Sequence, residues 1–120
     1  GDVEYLADGW DFAMQRGYRY DAGSWHCWAS SGTLDFQLKC PIGVEGTLRL
    51  YLHDGDRFQG GREQTVTVEG VCVGAFKDFG EGRWVEVPVS ANDTADGLVT
   101  VSAAPQHANA VISLVRFIAR

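Results

Sequence analysis

The chain has 120 residues, 45% of them hydrophobic, and carries a formal net charge of −6. That length suits one domain with its own core and leaves too little for a second. The acidic balance excludes long-range attraction to nucleic acid or anionic membranes, and weakly disfavours strongly anionic polysaccharides.

The chain opens GDVEYL without an initiator Met, signal peptide, membrane-spanning run or lipidation motif, so residues 1–120 read as a single module cut from a longer protein, or as a mature fragment. VEYLA (3–7) reads as a short first strand that pairs beside the last one. WDFAMQRGY, within 10–20, fits either a short helical turn or an irregular crossing. DAGSWHCWASSG (21–32) reads as a long loop. From there the pattern has period two. TLDFQLK (33–39), TLRLYLH (47–53), QTVTVEG (64–70), RWVEVPV (83–89) and LVTVSA (98–103) each place apolar residues on one side only, the mark of a half-buried strand. AVISLVRFIA (110–119) is apolar on both faces and reads as a central strand. Glycine-rich punctuation separates these runs, and no long helix is expected. Many short strands with regular turns predict an all-β, antiparallel two-sheet sandwich.

If consecutive strands run antiparallel, each loop can be assigned to one end of the sandwich. The count puts 21–32, DGDRFQGGR (54–62), GEG (80–82) and PQHAN (105–109) on one rim. The opposite rim receives CPIGVEG (40–46), Glu69-Gly70 and SANDTADG (90–97), whose chemistry is bland.

The richer rim gathers Trp25, Trp28, Asp54, Arg57, Phe58, Gln59 and Arg62. Sugars offer C–H patches that stack on aromatic faces, and hydroxyls that suit the planar groups of Arg, Gln and Asp. These residues supply both, as small-ligand pockets do. The bland reading stands beside it: the two tryptophans tuck a loop onto the core, and Arg57 and Arg62 pair with Asp54, Asp56 or Glu63. A second platform is the outer face of 47–53, where Tyr51 meets Trp84 if 47–53 and 83–89 share a sheet.

Zinc spacing is poor, although His26, His53, His107 and Cys27 fall on the same rim. Oxygen ligands for a structural calcium are plentiful at Asp54 and Asp56, or at Asn92, Asp93 and Asp96, but neither stretch matches the familiar calcium loop. Asn92-Asp93-Thr94 is an N-glycosylation sequon if the source is eukaryotic and secretory. Cys27, Cys40 and Cys72 fit one bridge with a free thiol, or three buried thiols. No nucleophile elbow, P-loop, dinucleotide fingerprint or zinc-protease motif is present, so catalysis is not expected.

LRLYLHDGDRFQGGREQTVTVEG, then GRWVEVPVSANDTADGLVTVSA and ANAVISLVRFI, resemble the galactose-binding-domain-like β-sandwiches. The likeness covers roughly 33–120 and, more narrowly, the chain is similar to the jelly-roll carbohydrate-binding modules appended to bacterial glycoside hydrolases and polysaccharide lyases. It implies a noncatalytic, extracellular or cell-surface module that binds a polysaccharide or oligosaccharide through rim loops, often with a structural calcium, beside the catalytic domain of its parent chain. Some members of such superfamilies only brace a neighbouring domain, which is the alternative here.

Overall fold

The alternation in the sequence is the alternation of burial in the fold. Along 34–39, Leu34, Phe36 and Leu38 are fully buried while Lys39 is exposed; along 46–52, Leu48, Leu50 and Leu52 are buried between half-buried neighbours. Each such aliphatic side chain contributes about 1.5–3 kcal/mol of burial, which ties the strand's register to the core.

The computed structural model describes residues 9–120, and the expected strand 3–7 lies outside them. Eleven strands follow in chain order among the described residues: β1 (Asp11–Arg16), β2 (Tyr18–Asp21), β3 (His26–Ser30), β4 (Leu34–Lys39), β5 (Gly46–Leu52), β6 (Glu63–Val68), β7 (Val71–Phe76), β8 (Arg83–Val89), β9 (Leu98–His107), β10 (Ala110–Ile112) and β11 (Leu114–Ala119). One sheet has the order β1-β4-β9-β6-β7. Two smaller sheets, β10-β3-β2 and β11-β5-β8, complete the sandwich. Every pairing is antiparallel. A single hydrophobic cluster takes side chains from all three sheets.

Three expectations are corrected. Segment 10–20 is neither helical nor irregular: it is β1 and β2, joined through Gly17. Gly17 has φ 141°, and a Cβ there would sit 2.5 Å from Leu34 and 2.9 Å from the Ala29 carbonyl. Only glycine lets the chain leave the β4 side of one sheet and pair at once with β3 of another.

The second correction is that 21–32 is not all loop. Residues 26–30 form β3, held between β2 and β10. The third concerns 110–119, which is not one central strand. Ala110–Ile112 pairs with β3, and Leu114–Ala119 pairs with β5 in a different sheet. Ser113 is the crossing point, and its N–H donates to the Tyr51 carbonyl at 2.8 Å. A segment that changes partners needs apolar residues on both faces without being central.

None of the three cysteines is disulfide-bonded: Cys27 and Cys40 are buried and Cys72 is exposed on β7. The expected alternatives of a bridge or three buried thiols are both replaced by two buried thiols and one open one.

Candidate functional site

The loops assigned to one rim do meet. Trp25 lies against Gly55, where a Cβ would come within 2.5 Å of the indole. The Asp54 N–H donates to the Phe79 carbonyl at 3.0 Å, Arg62 Nε donates to Asn109 Oδ1 at 2.8 Å, and His107 Nε2 donates to the Gln59 carbonyl at 2.8 Å. Residues 20–25, 53–62, 79–82 and 107–109 therefore form one surface.

Arg62 is the organising residue, and it is 5% exposed. Its Nη1 donates to Asp54 Oδ1 and Asp56 Oδ1, each at 2.5 Å, and its backbone N–H donates to Asp54 Oδ2 at 2.8 Å. Burial pulls the Arg62 pKa down, but the hydrogen bonds and charges of Asp56 and Asp54 outweigh it and hold it above the ordinary arginine value. The guanidinium carbon also lies 5.4 Å from the Phe58 ring centre and 5.8 Å from that of Trp25. Asp54 is 3% exposed. The expectation that Asp54 and Arg62 are free ligand-binding groups is corrected: desolvation forces them to satisfy each other.

Trp28 is corrected as well. It is 6% exposed, because β3 turns it inward onto Phe12 at 4.6 Å and Phe36 at 5.8 Å between ring centres. Trp25 is half-buried, with one face on Gly55 and Tyr20 5.6 Å away, so it is a wall rather than an open stacking platform. Tyr51 does pair with Trp84 across β5 and β8, with ring centres 4.9 Å apart, as a shared sheet requires. That face is occupied by its own cations: the Arg49 guanidinium sits 4.3 Å from the Trp84 ring centre.

The remaining rim residues are open. Phe58 is 45% exposed. It stands between Arg57 (φ 48°) and Gln59 (φ 54°), both left-handed and neither a glycine. Two such conformations cost about 1–2 kcal/mol each, and strain of this kind concentrates at functional loops. Arg57 is solvent-exposed, lies along Gly80 and reaches Glu81 only at 3.9 Å. Gln59 is exposed beside it.

A hollow of about 190 Å³ opens between this loop and the β2 edge. Tyr18, Tyr20 and Phe58 wall it, at 54%, 39% and 45% exposure. Its base is Cys27 and Ala29, and Asp56, Arg62 and Asn109 supply polar atoms. Tyr18 and Tyr20 pair with Ala29 and Cys27, so they share one face of β2. Sequence reasoning missed both tyrosines and Asn109. The Tyr-Arg-Tyr alternation was the available signal, cut short by Gly17.

Neither stretch proposed for calcium is arranged around a cation. Asp54 and Asp56 are taken up by Arg62. Asp93 accepts from the Ser90 N–H and hydroxyl, and Asp96 from the Leu98 N–H, so each closes its own turn. Among the described residues no group of three or more His, Cys, Asp or Glu side chains is placed to hold a metal. The residues described do not fit the calcium that the resemblance implies.

No protein-family model matches the chain, and no curated protein matches it in sequence. Solved structures do. A family 35 carbohydrate-binding module from an environmental isolate is similar over 93% of this chain and 88% of its own, at 14% identity and TM-score 0.51. The chain has the β-sandwich fold of the carbohydrate-binding modules. TmCBM61, in complex with β-1,4-galactotriose, aligns over 100% of this chain and 94% of its own at 14% identity and TM-score 0.48. An exo-β-1,3-galactanase from Phanerochaete chrysosporium, with β-1,3-galactotriose, aligns over 93% of this chain but 26% of its own, at 17% identity and TM-score 0.48.

Proposed function

We propose that this chain is a noncatalytic carbohydrate-binding module, which holds a neutral plant or algal polysaccharide in the hollow beneath Tyr18, Tyr20 and Phe58. The observation that carries the reading is the set of three exposed rings gathered around one hollow to which Asp56 and Asn109 bring polar atoms. Each ring keeps a part of its face open to the same hollow. The rings accept the C–H faces of a sugar, while Asn109 and Asp56, held in place by Arg62, address its hydroxyls. The module acts outside the cell, appended to a glycoside hydrolase or polysaccharide lyase that it directs to its substrate. The carbohydrate-binding-module fold and the absence of catalytic motifs support this setting.

Affinity electrophoresis against a panel of neutral and acidic polysaccharides tests the proposal. Retardation by at least one neutral polysaccharide, lost in a Tyr20→Ala, Phe58→Ala variant that still folds, is the expected result. Unretarded migration in every gel refutes it. The second reading is a module that braces a catalytic domain and binds no sugar. It is favoured by the burial of Trp28 and the internal pairing of Arg62, and uniform negative results in those gels would support it.

A further inference from the structure

On the far side of Trp25 from the tyrosine hollow lies a second one, of about 180 Å³. It is lined by Trp25, His26, Tyr51, His53 and Ser113, with Ser24 and Leu114 at its margins. Trp25 stands between the two. Its ring centre is 5.6 Å from that of Tyr20, which walls the first, and 5.8 Å from that of His53, which walls the second. The indole and the His53 imidazole meet edge to face at 69°, and Tyr51 closes the other flank of His53 at 5.9 Å.

Ser113 makes this hollow more than a surface dent. It is 3% exposed, and its Oγ has no hydrogen-bond partner among the described residues. A buried hydroxyl left unpaired costs about 1–3 kcal/mol, so an unpaired one beneath a hollow marks a position that another hydroxyl can complete. The lining contains no Lys, Arg, Asp or Glu. Its polar groups are two imidazoles and hydroxyls, which can both donate to and accept from the hydroxyls of a neutral sugar and include no lysine or arginine to favour an anion. Both hollows are smaller than the roughly 300–1,000 Å³ pocket of a drug-sized ligand, so each is scaled to a single ring.

We propose that the His26–His53–Ser113 hollow is a second subsite of the same glycan-binding surface, taking a neutral sugar unit further along a chain whose first unit lies against Tyr18, Tyr20 and Phe58. This inference rests on the carbohydrate-binding reading above. The chain would pass over Trp25, so the protein distinguishes oligosaccharides from monosaccharides by length. Ser113 meets a ring hydroxyl from below, and His53 and Tyr51 meet it from the sides.

Titration calorimetry with β-1,4-linked glucose, mannose and galactose series, from monosaccharide to tetrasaccharide, tests it on the 120-residue chain. Affinity is expected to rise with length in the unmodified protein. In Ser113→Ala and in His53→Ala the longer sugars lose about tenfold, the scale of one or two neutral hydrogen bonds, while the monosaccharide is unaffected. In the unmodified protein the longest sugar that binds should also shift the imidazole proton resonances of His53, and the monosaccharide should not. This second readout does not depend on either variant folding. Affinity independent of length, a length gain retained in both variants, or imidazole signals that never move would overturn the subsite and leave the carbohydrate reading standing. No binding to any member of the three series would overturn the subsite, and unretarded migration in every polysaccharide gel as well would overturn the carbohydrate reading with it.

Discussion

Gln64 and Val111 are hydrogen-bonded side chain to backbone in both directions. Gln64 Nε2 donates to the Val111 carbonyl at 2.8 Å, and the Val111 N–H donates to Gln64 Oε1 at 2.9 Å. Gln64 is fully buried, and its amide serves β10 as a neighbouring strand would, joining the large sheet to the small one. Gln64→Leu leaves two buried backbone groups unpaired and is expected to lower stability by about 2–5 kcal/mol, read by urea unfolding. A loss below 1 kcal/mol would mean that water or a shifted strand replaces the amide.

Arg62 sits between two carboxylates, so its removal is costlier than a surface ion pair suggests. Arg62→Met is expected to destabilise by about 3–5 kcal/mol, because it strands the buried Asp54. Arg62→Met with Asp54→Leu should recover part of that loss. The arginine pKa is raised, so this contribution is complete below the ordinary arginine value and disappears only above it. Ionisation of Arg62 therefore gives unfolding midpoints no pH dependence across the neutral range.

Binding and stability separate among the aromatic residues. Tyr20→Ala and Phe58→Ala should each weaken polysaccharide binding about tenfold, or roughly 1.4 kcal/mol, with an unchanged circular dichroism spectrum. Trp28→Ala, cut out of the Phe12–Phe36 cluster, should instead lose about 3–5 kcal/mol of stability. Equal binding losses with no change in melting temperature for all three would show that Trp28 reaches the ligand.

Gly55→Ala tests the placement of Trp25. Its Cβ would meet three ring atoms at 2.5–2.7 Å. The indole must move, at a cost of about 1–3 kcal/mol, and Trp25 fluorescence should change, since this tryptophan forms a wall of the second hollow. An unchanged emission spectrum would count against the contact.

Thiol reactivity should follow burial. Native protein is expected to release one equivalent from an aromatic disulfide reagent, from Cys72, and the other two only on unfolding. Burial, with Asp96 and Glu69 adding to it, raises the Cys40 pKa and keeps its thiol protonated. That contribution to stability is fully present below the ordinary thiol value of 9.0 and is lost as the pH rises through the higher folded value. Rapid release of three equivalents would contradict it.

The strands with one apolar face were legible because burial in a sandwich imposes period two, and Leu48, Leu50 and Leu52 obey it without competition. Loop parity followed from those strands, and it brought Trp25, Arg57, Phe58 and Arg62 to one rim without any contact being known. What parity leaves open is direction. SWHCW reads as loop in the sequence, and only its pairing with β2 and β10 makes 26–30 a strand, in which Trp28 is buried. Arg57 and Arg62 look alike in sequence. Only the fold shows one in solvent and the other clasped by Asp54 and Asp56. Tyr18 and Tyr20 stayed hidden because Gly17 divides their segment between two sheets.

A loop ordered by a bound metal inherits a dissociation constant, and it loosens when the ion is diluted, chelated or exchanged. The loop from Asp54 to Arg62 is clasped by a cation that belongs to the same nine-residue stretch. Its order comes with the fold of the chain and carries no dissociation constant of its own.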